Sequence, residues 1–275
     1  MKNYLENKSN SAQYITFDEF PIWSAPFGLK LLEHIDYKRN ISAIDIGFGT
    51  GFPLTEIAMR LGDSCIVYGI DPSSEAIEKT RRKIEHYGIN NIKIIEGVAE
   101  SIPLEDNSID LVTSNNGLNN VTDMNKAFEE CARIIKKDGQ LILTMNLNGS
   151  LLEFYDVLRS VLSDFQLFDE IKTIEKHIAK RRPGVHEVVS KLHELGFKIK
   201  NLEHDKFNYQ FSDGTAMLKH YFMRLAFINP LIALLPNEKL EAIFEKTANR
   251  LNKEAKLFGG VKLSIPYVMV CAIKA

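Results

Sequence analysis

Three cysteines and one tryptophan are scattered through 275 residues, and what the chain has little of narrows its reading first. Cys65, Cys131 and Cys271 form no C-x-x-C pair and no cluster with metal-ligand spacing, which excludes a disulfide framework and a cysteine-held zinc site. Each lies in or beside an apolar run and is expected as a buried thiol; no metal is expected. Charge of one sign is lacking as well. The 34 Lys plus Arg stand against 36 Asp plus Glu, too even a balance for bulk nucleic-acid binding, so no nucleic-acid partner is expected. Long hydrophobic runs are missing too: the apolar stretch 225–235 is short and interrupted by Asn229 and Pro230, so no membrane span is expected. The polar stretch Met1–Gln13 lacks the apolar core of a signal peptide, which makes the cytoplasm the expected location.

What is present is a globular composition, 45% apolar and 25% charged, in which strand and helix patterns alternate from residue 27 to about 146. Strands are predicted at Ala43–Ile46, Cys65–Ile70, Asn91–Glu96, Ile109–Ser114 and Gln140–Met145. Helices are predicted at Phe27–Ile35, Phe52–Leu61 with Pro53 in its first turn, Ser74–Tyr87 ending at Gly88, and Met124–Ile135. Short, nearly continuous apolar strands separated by helices call for a parallel sheet covered on both faces, with a ligand crevice at the carboxyl ends of its strands. Further on, Leu151–Leu167 and Val185–Leu195 read as helices, Glu170–Arg182 as a basic, mobile stretch, and Phe197–Leu202 as a strand. Leu263–Ile273 is the last strand, with Pro266 favouring an edge or bulged position. Roughly fifty residues of mainly helical pattern lie between these two strands, more than any hairpin needs. The expected organisation is an N-terminal aromatic arm and first helix over 1–40, a core over 41–206, a helical insertion over 207–260, and the final core strand over 261–275.

The most specific local pattern is Asp45-Ile46-Gly47-Phe48-Gly49-Thr50-Gly51, followed twenty residues after Gly51 by Asp71 at the end of the next apolar run. A glycine turn after a strand, paired with such a carboxylate, points to a cofactor carrying a ribose. A dinucleotide fingerprint beginning at Gly47 would need glycine at position 52, where this chain has Phe52. Because a pyrophosphate must approach the following helix closely, Phe52 is expected to obstruct it, leaving an adenosine cofactor without phosphate; S-adenosylmethionine is the obvious one. A lesser alternative is that Asp71 caps the helix before Pro72, and the two roles can coexist.

With these residues in order, the chain strongly resembles the class I S-adenosylmethionine-dependent methyltransferases, particularly the small-molecule branch that includes ubiquinone and menaquinone biosynthesis enzymes. The resemblance covers about 25–145 closely and the last two strands loosely. Besides the glycine motif and Asp71, it rests on Glu96-Gly97-Val98-Ala99-Glu100-Ser101-Ile102-Pro103 and Asn107-Ser108-Ile109-Asp110-Leu111-Val112. It implies a doubly wound, mostly parallel seven-stranded α/β sheet of Rossmann-like type, with a helical cap inserted before the last strand. It also implies a cofactor site drawn from Asp45, Gly47, Gly49, Gly51, Asp71, Pro72, Val98, Ala99, Glu100, Ser114 and Asn115. In such enzymes the backbone at Gly47 and Gly49 borders the methionine part, and Asp71 accepts hydrogen bonds from both ribose hydroxyls. Two departures stand out. Val98 replaces the usual adenine-binding Asp and cannot accept that bond; the Ala99 N–H could still face the ring, and Glu100 either supplies the lost acceptor or is simply solvated. Ser114-Asn115-Asn116-Gly117-Leu118-Asn119-Asn120 replaces an aromatic, histidine-containing run, and an amide can orient a substrate but is no general base.

Methyl transfer demands alignment of donor and acceptor and exclusion of water, while a base is needed only for acceptors such as phenols or enolisable carbons. Asn116 is the candidate orienting amide, and His220 the favoured base among His177, His186, His204 and His220. Phe20, Trp23, Asn119 and Tyr221 are the candidate substrate contacts. Tyr14, Phe17 and Phe27 extend the aromatic arm, and Phe207, Tyr209, Phe211, Phe222, Met223 and Phe227 give the insertion an apolar, adaptable lining or a packing core. Lys180-Arg181-Arg182 either attracts an anionic substituent or is a solvated run. The expected activity is methylation of an oxygen or carbon on a small, apolar or aromatic metabolite. Two alternatives stay open: a non-catalytic S-adenosylmethionine-binding scaffold, suggested by Val98 and the missing histidine, and a nucleotide-dependent oxidoreductase, against which Phe52 argues. The insertion is expected to serve as a lid, as the interface of a homodimer, or as both.

Overall fold

The computed structural model describes residues 20–180 and 182–275, with side chains from Trp23 onward except that of Lys180. Tyr14, Phe17 and Arg181, with the side chains of Phe20 and Lys180, lie outside the described residues. Seven strands, β1 (Ser42–Ile46), β2 (Ile66–Asp71), β3 (Ile92–Glu96), β4 (Ile109–Asn115), β5 (Ile135–Asn146), β6 (Phe197–Phe211) and β7 (Val261–Lys274), form one sheet in the order β3-β2-β1-β4-β5-β7-β6. The pairs β1–β2, β1–β4, β2–β3 and β4–β5 are parallel and β5–β7 is antiparallel. This is the expected doubly wound sheet.

Period-two alternation divides its side chains between two apolar layers. Ile44, Ile46, Val112, Leu141 and Leu143 pack in one with Phe128 and Cys131. Ala43, Leu111 and Ile142 pack in the other with Leu31, Leu54 and Ile77. The helices that carry these partners are α1 (Phe20–Glu33), α2 (Leu54–Leu61), α3 (Ser74–Tyr87) and α4 (Met124–Ile134). Local signals set their ends. The Ser73 hydroxyl accepts from Ala76 N and the Asp123 carboxylate from Lys126 N, and α3 closes on Gly88 in the left-handed conformation.

Beyond β5 come α5 (Leu152–Asp164), α6 (Phe168–Lys180), α7 (Val185–Glu194), α8 (Gly214–Lys219), α9 (Tyr221–Met223), a π-helical turn (Arg224–Ile228), α10 (Asn229–Ile232) and α11 (Leu240–Phe258). The described residues fall into two compact units. The first comprises those up to Leu147, with Pro183–Asp205 and Tyr267–Ala275; the second comprises Asn148–Arg182 with Lys206–Pro266. Within the second, α11 packs on α5 and α8, burying Phe154, Leu158, Phe244 and Leu251.

Several boundaries differ from the expectation. The segment read as a mobile basic stretch is helix α6: Ile171, Ile174 and Ile178 recur at helical spacing among its charges, Ile174 is buried, and Asp169 and Glu170 occupy the favourable first turn. Strand β6 runs on to Phe211, so Phe207, Tyr209 and Phe211, read as part of the insertion, share one face of a strand. Strand β7 is interior rather than at an edge. Its pairing with β5 begins at Tyr267, so the N–H that Pro266 lacks is not required there. Helix α1 begins at Phe20, earlier than predicted, and contains Pro26.

The loop after β3 is held to α4 by two side chains, Arg133 and Glu130. Arg133 donates through Nη2 to the Ile102 carbonyl and through Nη1 to that of Leu104, both at 2.8 Å, while Glu130 accepts from Ile102 N. Replacing Arg133 by Ala strands two carbonyls and a partly buried carboxylate, at a cost of about 2 kcal/mol. A thermal-denaturation midpoint unchanged in Arg133→Ala would show that the loop is held by other means.

Candidate active site

The carboxyl ends of the first four strands open on one crevice of about 280 Å³, contained within the first unit. Ile46 ends β1 and Asp71 ends β2, Gly97 follows β3, and Asn116 and Gly117 follow β4; all line it. The turn after β1 has positive φ at Gly47, Gly49 and Gly51, which side chains rarely tolerate. It folds back tightly: Gly47 N donates to the Ile70 carbonyl at 2.8 Å, and a Cβ on Gly47 would come within 2.8 Å of Gly117 Cα. Gly49 N donates at 2.8 Å to Asp71 Oδ2, and Ser73 N at 2.9 Å to Oδ1. Asp71 is thus oriented by two backbone donors, while burial raises its pKa and those donors oppose the rise.

Of the residues expected at the cofactor site, Gly47, Asp71, Pro72, Val98, Ala99 and Glu100 line the crevice. Glu100 is not left as a spare acceptor only, since its Oε1 accepts from Thr122 N and Asp123 N at 2.8 and 3.0 Å. Asp45, Gly49, Gly51, Ser114 and Asn115 do not line it. Ser114 Oγ donates to the Ile46 carbonyl and accepts from Leu118 N, each at 3.0 Å, and so ties the two turns together. Asn115 accepts from Thr144 Oγ1 and donates to the Ser24 carbonyl. Asp45 is buried, with Thr113 Oγ1 donating to its Oδ1 at 2.8 Å and no partner for Oδ2 among the described residues. Burial pushes its pKa up to about 7, against the lowering effect of the Thr113 hydroxyl. Phe52 does not line the crevice either. Its ring lies where a Cβ on Gly28 would approach within 2.3 Å, so its expected role in blocking a phosphate is corrected: the ring is packed beside α1.

Asn116, with φ of 56°, does line the crevice. Its Oδ1 accepts from Asn146 N at 2.9 Å, and its buried Nδ2 has no partner among the described residues. Asn119 is buried and donates at 2.8 Å to Asn146 Oδ1, leaving its own Oδ1 unpartnered; it is not among the lining residues. Gly117, Asn120, Val121 and Thr122 also line the crevice without having been anticipated. The glycine inside an amide-rich run was the available signal for a close backbone approach. Trp23 is half-buried on α1, its ring 5.5 Å from Phe27. His220 and Tyr221 belong to the second unit, where the His220 ring stands 5.3 Å from Phe211 and 6.0 Å from Tyr209 and Tyr221 is exposed.

A family model described as a methyltransferase domain matches residues 44–143, a stretch that contains every residue of the crevice. This chain carries a class I S-adenosylmethionine-dependent methyltransferase domain. The methyltransferase is 26% identical over 175 residues to demethylmenaquinone methyltransferase of Geobacillus sp. (strain WCH70), covering 60% of this chain and 74% of that one. Its fold is similar to that of the YcgJ protein of Bacillus subtilis, with a TM-score of 0.59 and 17% identity over 91% of this chain and 98% of the other. It is similar also to an S-adenosylmethionine-dependent methyltransferase of Aquifex aeolicus, with a TM-score of 0.53 and 19% identity over 71% and 92%. The methyl donor is therefore S-adenosylmethionine, and the oxidoreductase alternative falls away.

The residues of the methyltransferase crevice fit that cofactor: polar backbone of a glycine turn at Gly47, and apolar walls at Ile46, Ile70 and Val98 beside the carboxylate of Asp71, which two backbone donors fix. Asp71→Asn would set an amide donor against one of two backbone N–H donors, and should weaken cofactor binding about tenfold or more by titration calorimetry. Unchanged affinity would remove Asp71 from the site. Asp45 supplies a pH test. Its folded pKa of about 7 lies above the ordinary 3.8, so its contribution to stability is full below about pH 4 and is lost as the pH rises through about 7. The melting temperature of Asp45→Asn should fall less than that of the parent across this range; parallel curves would contradict a protonated Asp45.

Proposed function

We propose that the methyltransferase transfers a methyl group to an oxygen or carbon of a small apolar or aromatic metabolite. The observation that carries this reading is the buried, unpartnered Asn116 Nδ2 on a residue lining the crevice. A desolvated amide donor is costly unless a ligand oxygen accepts from it, and such a donor would orient a phenolic or enolic oxygen and stabilise the anion left when that oxygen gives up its proton, before methyl transfer consumes the charge. When bound, S-adenosylmethionine supplies an electrophilic methyl on a sulfonium. Asp71 would hold its ribose through lone pairs not used by Gly49 and Ser73, Val98 and Ala99 would flank its adenine, and the turn at Gly47 its methionine part. The chain's own task is then to orient the acceptor and keep water out. The relatives named demethylmenaquinone methyltransferase favour a quinol-like aromatic ring as the first class to try.

The test is transfer of a labelled methyl group to a panel of phenols, reduced quinones and enolisable carbonyl compounds. Asn116→Ala should lower kcat about ten- to a hundredfold for the accepted compound, with cofactor affinity little changed. Cofactor binding without turnover on any member of the panel would favour the scaffolding alternative.

A further inference from the structure

Helix α11 ends on two apolar side chains that none of the described residues covers. Leu257 is 78% exposed and Phe258 81%, more than any other large apolar side chain among the described residues. Phe258 continues the buried stripe of Phe244, Leu251 and Ala255 one turn past its last buried member, and the chain then turns away through Gly259 in the left-handed conformation. An amphipathic helix whose apolar stripe outruns the body it packs on presents that end to an outside partner.

The charge around this tip indicates which partner. Lys253, Lys256 and Lys262 are all exposed, and Glu254 is the only carboxylate between residues 253 and 262. None of the three lysines forms an ion pair among the described residues. Lys253 and Lys256 also line a polar cleft of about 560 Å³, together with Ser212, Asp213, Asn249 and Asn252. The Asp213 carboxylate there is engaged at 2.7 Å by Ala216 N, where it caps α8. The surface thus combines an exposed Leu-Phe pair, three exposed lysines without ion pairs among the described residues, and a concavity lined by two of them that could take a phosphate-bearing headgroup. A second copy is a poor occupant, because a two-fold contact would set these lysines against their own counterparts.

We propose that this end of α11 docks the protein on an anionic phospholipid bilayer, with Leu257 and Phe258 entering the boundary between headgroups and acyl chains while Lys253, Lys256 and Lys262 meet lipid phosphates. Short apolar insertions combined with a basic rim bind such surfaces reversibly, and the electrostatic part weakens with salt. The proposal is independent of which acceptor the methyltransferase uses.

Co-sedimentation of the full chain with phosphatidylcholine vesicles, with and without phosphatidylglycerol, tests it. Binding is expected to require phosphatidylglycerol and to weaken as salt rises. It should fall about tenfold or more in L257E/F258E and in K253Q/K256Q/K262Q. All of these positions are exposed, so the melting temperature and cofactor affinity of both variants should match the parent, which separates lost docking from lost folding. No sedimentation with phosphatidylglycerol vesicles, or binding undiminished in both variants, overturns the proposal. So does light scattering that shows a dimer dissolved by L257E/F258E, since the tip would then be covered by a second copy.

Discussion

The backbone approach between the turns after β1 and β4 is the constraint on which the crevice depends. A Cβ on Gly117 would come within 2.2 Å of the Ile46 carbonyl oxygen, and one on Gly47 within 2.8 Å of Gly117 Cα. Ser114 Oγ spans the same junction by donating to Ile46 O and accepting from Leu118 N. Two parallel strands are thereby joined at their carboxyl ends by backbone and a buried hydroxyl. The first turn is left to reach β2, where Gly47 N meets Ile70 O and Gly49 N meets Asp71. Removing side chains from these turns brings polar backbone to the crevice wall and holds the carboxylate of Asp71 at a defined place.

Amides rather than charges organise the β4 side. Asn115, Asn116, Asn119 and Asn146 bond to strand ends, to one another and to α1. Such a network is rigid where it is satisfied and costly where it is not, so its unspent atoms, Asn116 Nδ2 and Asn119 Oδ1, mark where the folded chain alone leaves hydrogen-bonding capacity unused. On the first side of the crevice the polar work is done by Asp71; on this side a neutral donor is offered.

The two units carry different chemistry. The first contains the crevice and the layers that pack the sheet; the second gathers aromatic rings around His220 and ends α11 in exposed Leu257 and Phe258. A π-helical turn at Arg224–Ile228 interrupts the regular helix geometry in the same unit, a feature often met at functional sites.

Much of the sheet was readable from the chain, because strands buried on both faces leave continuous apolar runs and helix caps leave Ser73, Gly88 and Asp123 at their ends. The glycine turn and Asp71 were readable for the same reason: each answers a local backbone demand within about two dozen residues. Helix α6 was not, since charges dominate its composition and hid the helical spacing that Ile171, Ile174 and Ile178 carry. The placement of β7 inside the sheet, despite Pro266, depends on strands remote in sequence. Site membership divides in the same way. The sequence by itself determined the cofactor class and the residue types available. Only the tertiary structure decided that Asp45, Ser114 and Asn115 support the crevice while Gly117, Asn120 and Thr122 line it, because burial and the direction of a hydrogen bond are properties of segments brought together.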